Sequence, residues 1–168
     1  MKAIQLIAPG APGKFELRDL PEPQPAPDEV VVQVQTCGLN HLDLWLEAAG
    51  LPMPVQLPRT PGGEIAGRIL EAGGNVKDWK RGDEVAVQSN LFCGECEYCQ
   101  RGEESLCHRG VILGVQRDGG FAEKVVVPAR ALVRLPAGVD FDTSAALTLA
   151  DSTAMHMLTK RARVRESD

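Results

Sequence analysis

CGECEYCQRGEESLC, residues 93–107, places Cys93, Cys96, Cys99 and Cys107 in a C-x2-C-x2-C-x7-C spacing. Four thiolates converging from one short loop suit a single zinc ion, which is borderline-soft and has no geometric preference of its own beyond four-fold closure. A shell of four sulfurs leaves no position for water or substrate. The expected role is therefore to tie a lobe together, and each thiol must lose its proton for the metal to bind. Arg101, His108 and Arg109 lie close enough in sequence to offset part of the negative charge that results. The pairs Cys93/Cys96 and Cys96/Cys99 also have the C-x-x-C spacing of a redox dithiol, but that motif opens a helix after a strand and needs no further cysteines. Spacing alone leaves an iron–sulfur cluster open as the other occupant.

Around this loop, 168 residues are enough for one well-buried domain and short for two. The expectation is one core over 1–150, with the metal lobe at 90–110, and a helix over 151–168. A net charge of -5 argues against a nucleic-acid surface, which needs a basic face. Glu95, Glu97, Glu103 and Glu104 inside the loop argue the same against a nucleic-acid-binding zinc ribbon. One lysine and a short apolar run precede Pro9 and Gly10, the pattern of neither a signal peptide nor an anchor, and no run is long enough to cross a bilayer. A reducing cytoplasmic setting is the default, and metal-ligand cysteines agree with it.

Residues 3–7 and 14–20 read as a hairpin broken by Pro9, Gly10, Pro12 and Gly13. Pro21, Pro23, Pro25 and Pro27 then form a stiff extended crossing that cannot enter a sheet interior. EVVVQVQT, residues 29–36, alternates, with Val30, Val32 and Val34 on a core face and Val31, Gln33 and Gln35 on the other. Residues 40–49 change to helical period, with Leu42, Trp45, Leu46 and Ala49 on one broad side, Asn40 as cap and Gly50 as stop. Strands are expected at 64–71, where Gly67 permits a close backbone approach, and at 84–88, 121–127 and 132–135. Two helices follow at 142–149 and 152–163, the second with Met155, Leu158 and Ala162 on one side. The sum is a mainly β fold: a strongly curled sheet or partly open barrel with short helices.

Taken together, GLNHLDLW, TPGGEIAGRILEAGGNVKDWKRGDEVAV, the cysteine loop and GGFAEKVVVPARALVRLPAGVDFDTSAAL resemble the medium-chain zinc-type alcohol dehydrogenases and quinone oxidoreductases over nearly the whole chain. The resemblance implies their GroES-like catalytic domain, with the four-cysteine loop as its structural zinc lobe.

It also implies where a catalytic zinc would sit. The family's first zinc cysteine, in a G-x-C-H-T-D pattern, falls on Asn40, and the Thr or Ser of its proton relay falls on Leu42. Its zinc histidine, in a G-H-E pattern, falls on Gly63, and its third ligand near Leu149, with Asp151 as the fallback. Leucine and glycine offer zinc nothing, and an amide is a poor substitute for a thiolate. Cys37 sits three residues away and reads as a buried thiol. His41, Asp43 and Glu64 are the candidates for any rearranged metal site. Without a Lewis acid, alcohol oxidation loses its means of lowering the alcohol pKa. The pattern at 38–40 instead resembles the zinc-independent quinone or enone reductases, which use NAD(P)H. On that resemblance Asn40 is assigned to the nicotinamide and substrate side of the cleft, and His41 to cofactor contact or proton donation. The competing reading is that both only cap the helix start.

No strand–GxGxxG–helix unit is present, so a nicotinamide-binding Rossmann domain would have to follow the last helix in the full-length family. An excised domain or a shortened chain, with little or no turnover alone, is the expectation, and homodimerisation through the apolar positions of the last helix is open. The other functional class to weigh is a zinc-stabilised interaction module with no enzymatic role.

Overall fold

The computed structural model describes residues 1–165. Its centre is an antiparallel five-stranded sheet in the order β8-β3-β4-β5-β9. These strands are β3 (Glu29–Gly38), β4 (Glu64–Ala72), β5 (Glu84–Val87), β8 (Lys124–Pro128) and β9 (Leu132–Arg134). The hairpin of β1 (Lys2–Ala8) and β2 (Lys14–Asp19) forms its own two-stranded sheet and meets the rest through bridges from Ala3 to Ala122 and Leu6 to Arg59. A third pair, β6 (Asn90–Leu91) with β7 (Val111–Ile112), closes the neck of the cysteine loop. The fold is mainly β, as expected, and its sheets remain open.

Val30, Val32, Ile65, Ile69, Val85, Val87 and Val127 are all buried in one cluster, which is the core face that the alternation in β3 predicts. Each such side chain contributes roughly 1.5–3 kcal/mol on burial. Val31, expected on the opposite and more polar face, is also buried. It pairs with Val126 of β8, and Val126 shares a cavity wall with Pro23, so the proline crossing covers this end of the outer face. Polarity along the strand could not report that cover, because it comes from a distant segment. The pairing of β3 with β4 shifts register twice, and at the second shift a Cβ on Gly67 would lie 2.0 Å from the Gln33 carbonyl oxygen. The close approach expected at Gly67 is therefore present.

Helix α1 (His41–Glu47) is shorter than the 40–49 expected. It packs through buried Leu46 and half-buried Leu42, whereas Trp45 and Ala49 face solvent. Its stop also differs: Ala49, not Gly50, takes the left-handed conformation (φ 55°), and the Gly50 N–H closes back on the Trp45 carbonyl at 2.8 Å. Within the lobe, α2 (Glu97–Gln100) is a single turn. The two helices expected near the end join into one rod: α3 (Phe141–Ala146), a widened π turn at Leu147–Asp151, α4 (Ser152–His156) and a second π turn at Met157–Ala162. Only α3 buries residues, Ser144 and Ala145, so the amphipathic side expected at Met155, Leu158 and Ala162 is exposed. The part of the expected helix over 166–168 lies outside the described residues.

Candidate active site and metal centre

The end of β3, the start of α1, the start of β4 and the π turn of the last helix meet around the buried Glu64 carboxylate. Asn40 caps α1 from an extended conformation, its Oδ1 accepting the Leu42 N–H at 3.1 Å. The Asp43 carboxylate completes a capping box by accepting the Asn40 N–H at 2.9 Å, and its other oxygen accepts the Gly62 N–H at 3.2 Å. Gly62 adopts φ +95°, and a side chain there would strike Phe121 and the Cys37 sulfur.

Glu64, the first residue of β4, is 4% exposed and has no cation partner among the described residues. Its Oε1 accepts two N–H groups at 3.0 Å, one from the Asn40 side-chain amide and one from the Ala150 backbone. Ala150 sits in the π turn, where the helical ladder is displaced and an N–H is open to an outside acceptor. One carboxylate thus joins the α1 cap to the last helix. Hydrogen bonds to a charged group contribute about 1.5–3 kcal/mol each, which is how the carboxylate tolerates burial. Gly63 sits close to its neighbours: a Cβ there would lie 3.3 Å from the Leu113 carbonyl oxygen, tighter than ordinary contact, and would meet Ser89 at 3.5 Å and Leu149 at 3.7 Å. Positions 40, 63 and 149 are therefore brought together, whereas the fallback Asp151 is exposed.

Burial is the main cause that raises the Asp43 carboxyl above the ordinary aspartate range, and the nearby Glu64 charge adds to it. The Cys37 thiol is pushed up to about 12, again chiefly by burial and then by Asp43, so it stays protonated and unreactive. His41 is exposed and turns its ring edge-on to Trp45, with centroids 4.8 Å apart. Among the described residues, His41, Asp43 and Glu64 do not gather into a three-donor metal site.

The cysteines do gather. The sulfurs of Cys93, Cys96, Cys99 and Cys107 lie within 4.8 Å of one another, a donor set that fits a tetrahedral thiophilic ion. Backbone N–H groups of Glu95 and Cys96 point at the Cys93 sulfur, and that of Cys93 at Cys107. The first of these does most to lower the Cys93 thiol to about 6, while desolvation pushes Cys99 up to about 12. Arg109 pairs with Glu95, Arg101 with Glu103 at 3.1 Å, and His108 approaches Glu97 at 3.4 Å, so the basic residues expected to offset thiolate charge also hold the loop's own acids.

Residues 26–137 match the family described as the alcohol dehydrogenase GroES-like domain. The chain belongs to this family. Acryloyl-coenzyme A reductase of Sulfurisphaera tokodaii is 38% identical over 138 residues, 82% of this chain and 40% of that protein. Alcohol dehydrogenase 1 of Emericella nidulans is 32% identical over 160 residues, 95% of this chain and 45% of the relative. A crystal structure of an NAD-dependent alcohol dehydrogenase superposes with a TM-score of 0.95 at 38% identity, covering all of this chain and 49% of that one. This GroES-like domain thus spans less than half the length of the relatives it matches. Within it, the part sequence reasoning missed is the bond from Ala150 to Glu64. A backbone donor released by a π turn has no signature in residue identity.

Proposed function

We propose that this chain is the catalytic half of an NAD(P)H-dependent oxidoreductase that reduces a quinone or an activated carbon–carbon double bond, with one structural zinc and no catalytic zinc. The observation that carries the reading is the convergence of Asn40, Gly63 and Leu149, whose side chains supply no zinc ligand set, around a carboxylate that links the same elements. Relatives named as an acryloyl-coenzyme A reductase and as an alcohol dehydrogenase both match, so family membership does not choose between the reactions. The donor set favours reduction, because an alcohol needs a Lewis acid and a conjugated acceptor does not.

In this reading Cys93, Cys96, Cys99 and Cys107 hold the zinc, which stabilises the lobe. NAD(P)H supplies hydride when a dinucleotide domain presents it. Asn40 faces the nicotinamide and substrate side: one N–H of its amide is engaged by Glu64, and the other is the donor for a substrate oxygen. His41, exposed at the first turn of α1, contacts cofactor or delivers the proton that accompanies hydride. The setting is cytoplasmic, the substrate is a small molecule, and turnover is expected only with the cofactor domain supplied. Metal analysis tests the site directly: one zinc per chain is expected, and two would replace this reading with a zinc-dependent alcohol dehydrogenase. Fusion to a nicotinamide domain of the family tests the reaction. Quinone or enone reduction supports it, and inactivity of a correctly folded fusion toward both favours a non-enzymatic interaction module.

A further inference from the structure

The Asn40 side-chain amide is held at both ends. Its Oδ1 accepts the Leu42 N–H at 3.1 Å, and its Nδ2 donates to Glu64 Oε1 at 3.0 Å. Only one of the two flips of this amide satisfies both contacts, because the other would set Oδ1 against a carboxylate and the NH2 group against an N–H donor. One N–H of Nδ2 is thereby committed, and the plane of the amide fixes the direction of the other.

The seat of Glu64 is equally specific. It stands opposite Gly38 in the β3–β4 ladder, and the three atoms nearest a Cβ built on Gly38 all belong to Glu64: its Oε2, which the Cβ would overlap, its Cβ at 3.1 Å and its Cδ at 3.4 Å. Gly38 is not among the glycines with positive φ, so its backbone does not call for glycine; the neighbouring carboxylate does. The Ala150 N–H falls on the same Oε1 as the Asn40 amide. A carbonyl-type oxygen has two lone pairs, so one atom serves both donors, and a glutamine Oε1 in its place has the same capacity.

We propose that Glu64 is a positioning residue that fixes the flip and the aim of the Asn40 amide, with the missing side chain at Gly38 making its seat and the Ala150 N–H holding it there. With the carboxylate displaced, the amide keeps only its bond to Leu42, and its free N–H loses a fixed direction. That this N–H meets a substrate oxygen rests on the reduction proposed above; the positioning does not.

NMR of the whole chain tests the positioning through the Asn40 side-chain amide and the Ala150 backbone amide. In the wild type the engaged Asn40 proton should be displaced downfield and slow to exchange. Gly38→Ala leaves Glu64 in the sequence but pushes its carboxylate aside, and Glu64→Leu removes the acceptor. Both should return the Asn40 signals toward those of free asparagine and speed exchange at Ala150 about tenfold or more, the effect of one hydrogen bond to a charged group. Glu64→Gln should retain both signatures in weaker form, since a neutral acceptor binds less tightly. Unshifted amides at Val31 and Val126, which pair in the β3–β8 ladder, show that the fold is kept. In a fusion to a nicotinamide domain of the family, Glu64→Leu should lower kcat about tenfold with KM little changed, and Glu64→Gln should restore most of it. A wild-type fusion without turnover counts against the reduction, and the NMR result then judges the positioning by itself. Asn40 signals that stay in place in both Gly38→Ala and Glu64→Leu, or a Glu64→Gln variant as disturbed at Asn40 as Glu64→Leu, would overturn the proposal.

Discussion

Asp43 is a half-buried carboxylate held by two backbone N–H groups, and desolvation outweighs those bonds in setting its proton affinity. Because its folded pKa is raised, the folded state binds a proton that the unfolded chain has released in the window just above the ordinary aspartate range. Its contribution to stability is complete below the unfolded value and is lost as pH rises through the folded one. Asp43→Asn should therefore remove one proton's worth of slope from unfolding free energy in mildly acidic buffer, measured as the wild-type minus variant difference in urea titrations. A difference independent of pH would contradict the raised value. Ala49 gives a second test. A non-glycine residue in the left-handed region costs roughly 1–2 kcal/mol, part of which glycine returns as unfolded-chain entropy, so Ala49→Gly should stabilise by up to about 1 kcal/mol in the same assay. At this scale the sequence was legible where chemistry is local. The Asn40 cap follows from residue type at a helix start, and Gly67 from a glycine inside a strand pattern. Gly50 misled, because the choice between adjacent residues for the left-handed position depends on where α1 unwinds, and residue type alone does not mark that point: the helix ends at Glu47 and Ala49 takes φ 55°.

Pairing and packing decide the elements. The cysteine lobe is held at its neck by the short pair β6–β7 and by Arg130 Nε donating to the Phe92 carbonyl at 2.7 Å, and its two helical turns bury nothing among the described residues, so a metal held by the four thiolates would be its main source of order. Chelation at neutral pH should release one zinc and abolish amide-exchange protection across 93–107, while β3 and β4 keep theirs. Loss of protection in both regions would mean the lobe supports the main sheet. Acid should act like chelator here, since proton and metal compete for the same sulfurs. The lobe was readable in advance because ligand spacing is a property of the chain itself. The last helix was readable as a helix but not as an exposed one: periodicity at Met155 and Leu158 marks a face that some surface covers, without saying that the surface lies within this chain.

Considered whole, the molecule ends in a rod on which Leu147, Met155, Met157 and Leu158 are each about half exposed. Exposed apolar side chains of this kind, with Met155 and Leu158 three residues apart on one side of the rod, favour association. Sedimentation equilibrium should find concentration-dependent self-association of the wild-type chain, lost in the double variant Met155→Lys/Leu158→Lys with melting temperature unchanged. A monomer at all concentrations would remove the homodimer from consideration. No helix among the described residues is long and apolar enough to cross a membrane. The fold class was visible from short strands and turn residues. The gathering of positions 40, 63 and 149 was visible only by resemblance, because strand pairing places them and no local pattern does.

The strand order carries a consequence for synthesis. Glu29 at the start of β3 pairs with Pro128 at the end of β8, so one edge of β3 waits until nearly a hundred further residues have been translated. Throughout that interval Val30, Val31 and Val32 lie beside an unsatisfied strand edge on the nascent chain. The period of greatest exposure to misassembly is therefore set by the ribosome's pace rather than by the finished domain's stability, and slowing translation ahead of β8 should lower the soluble yield.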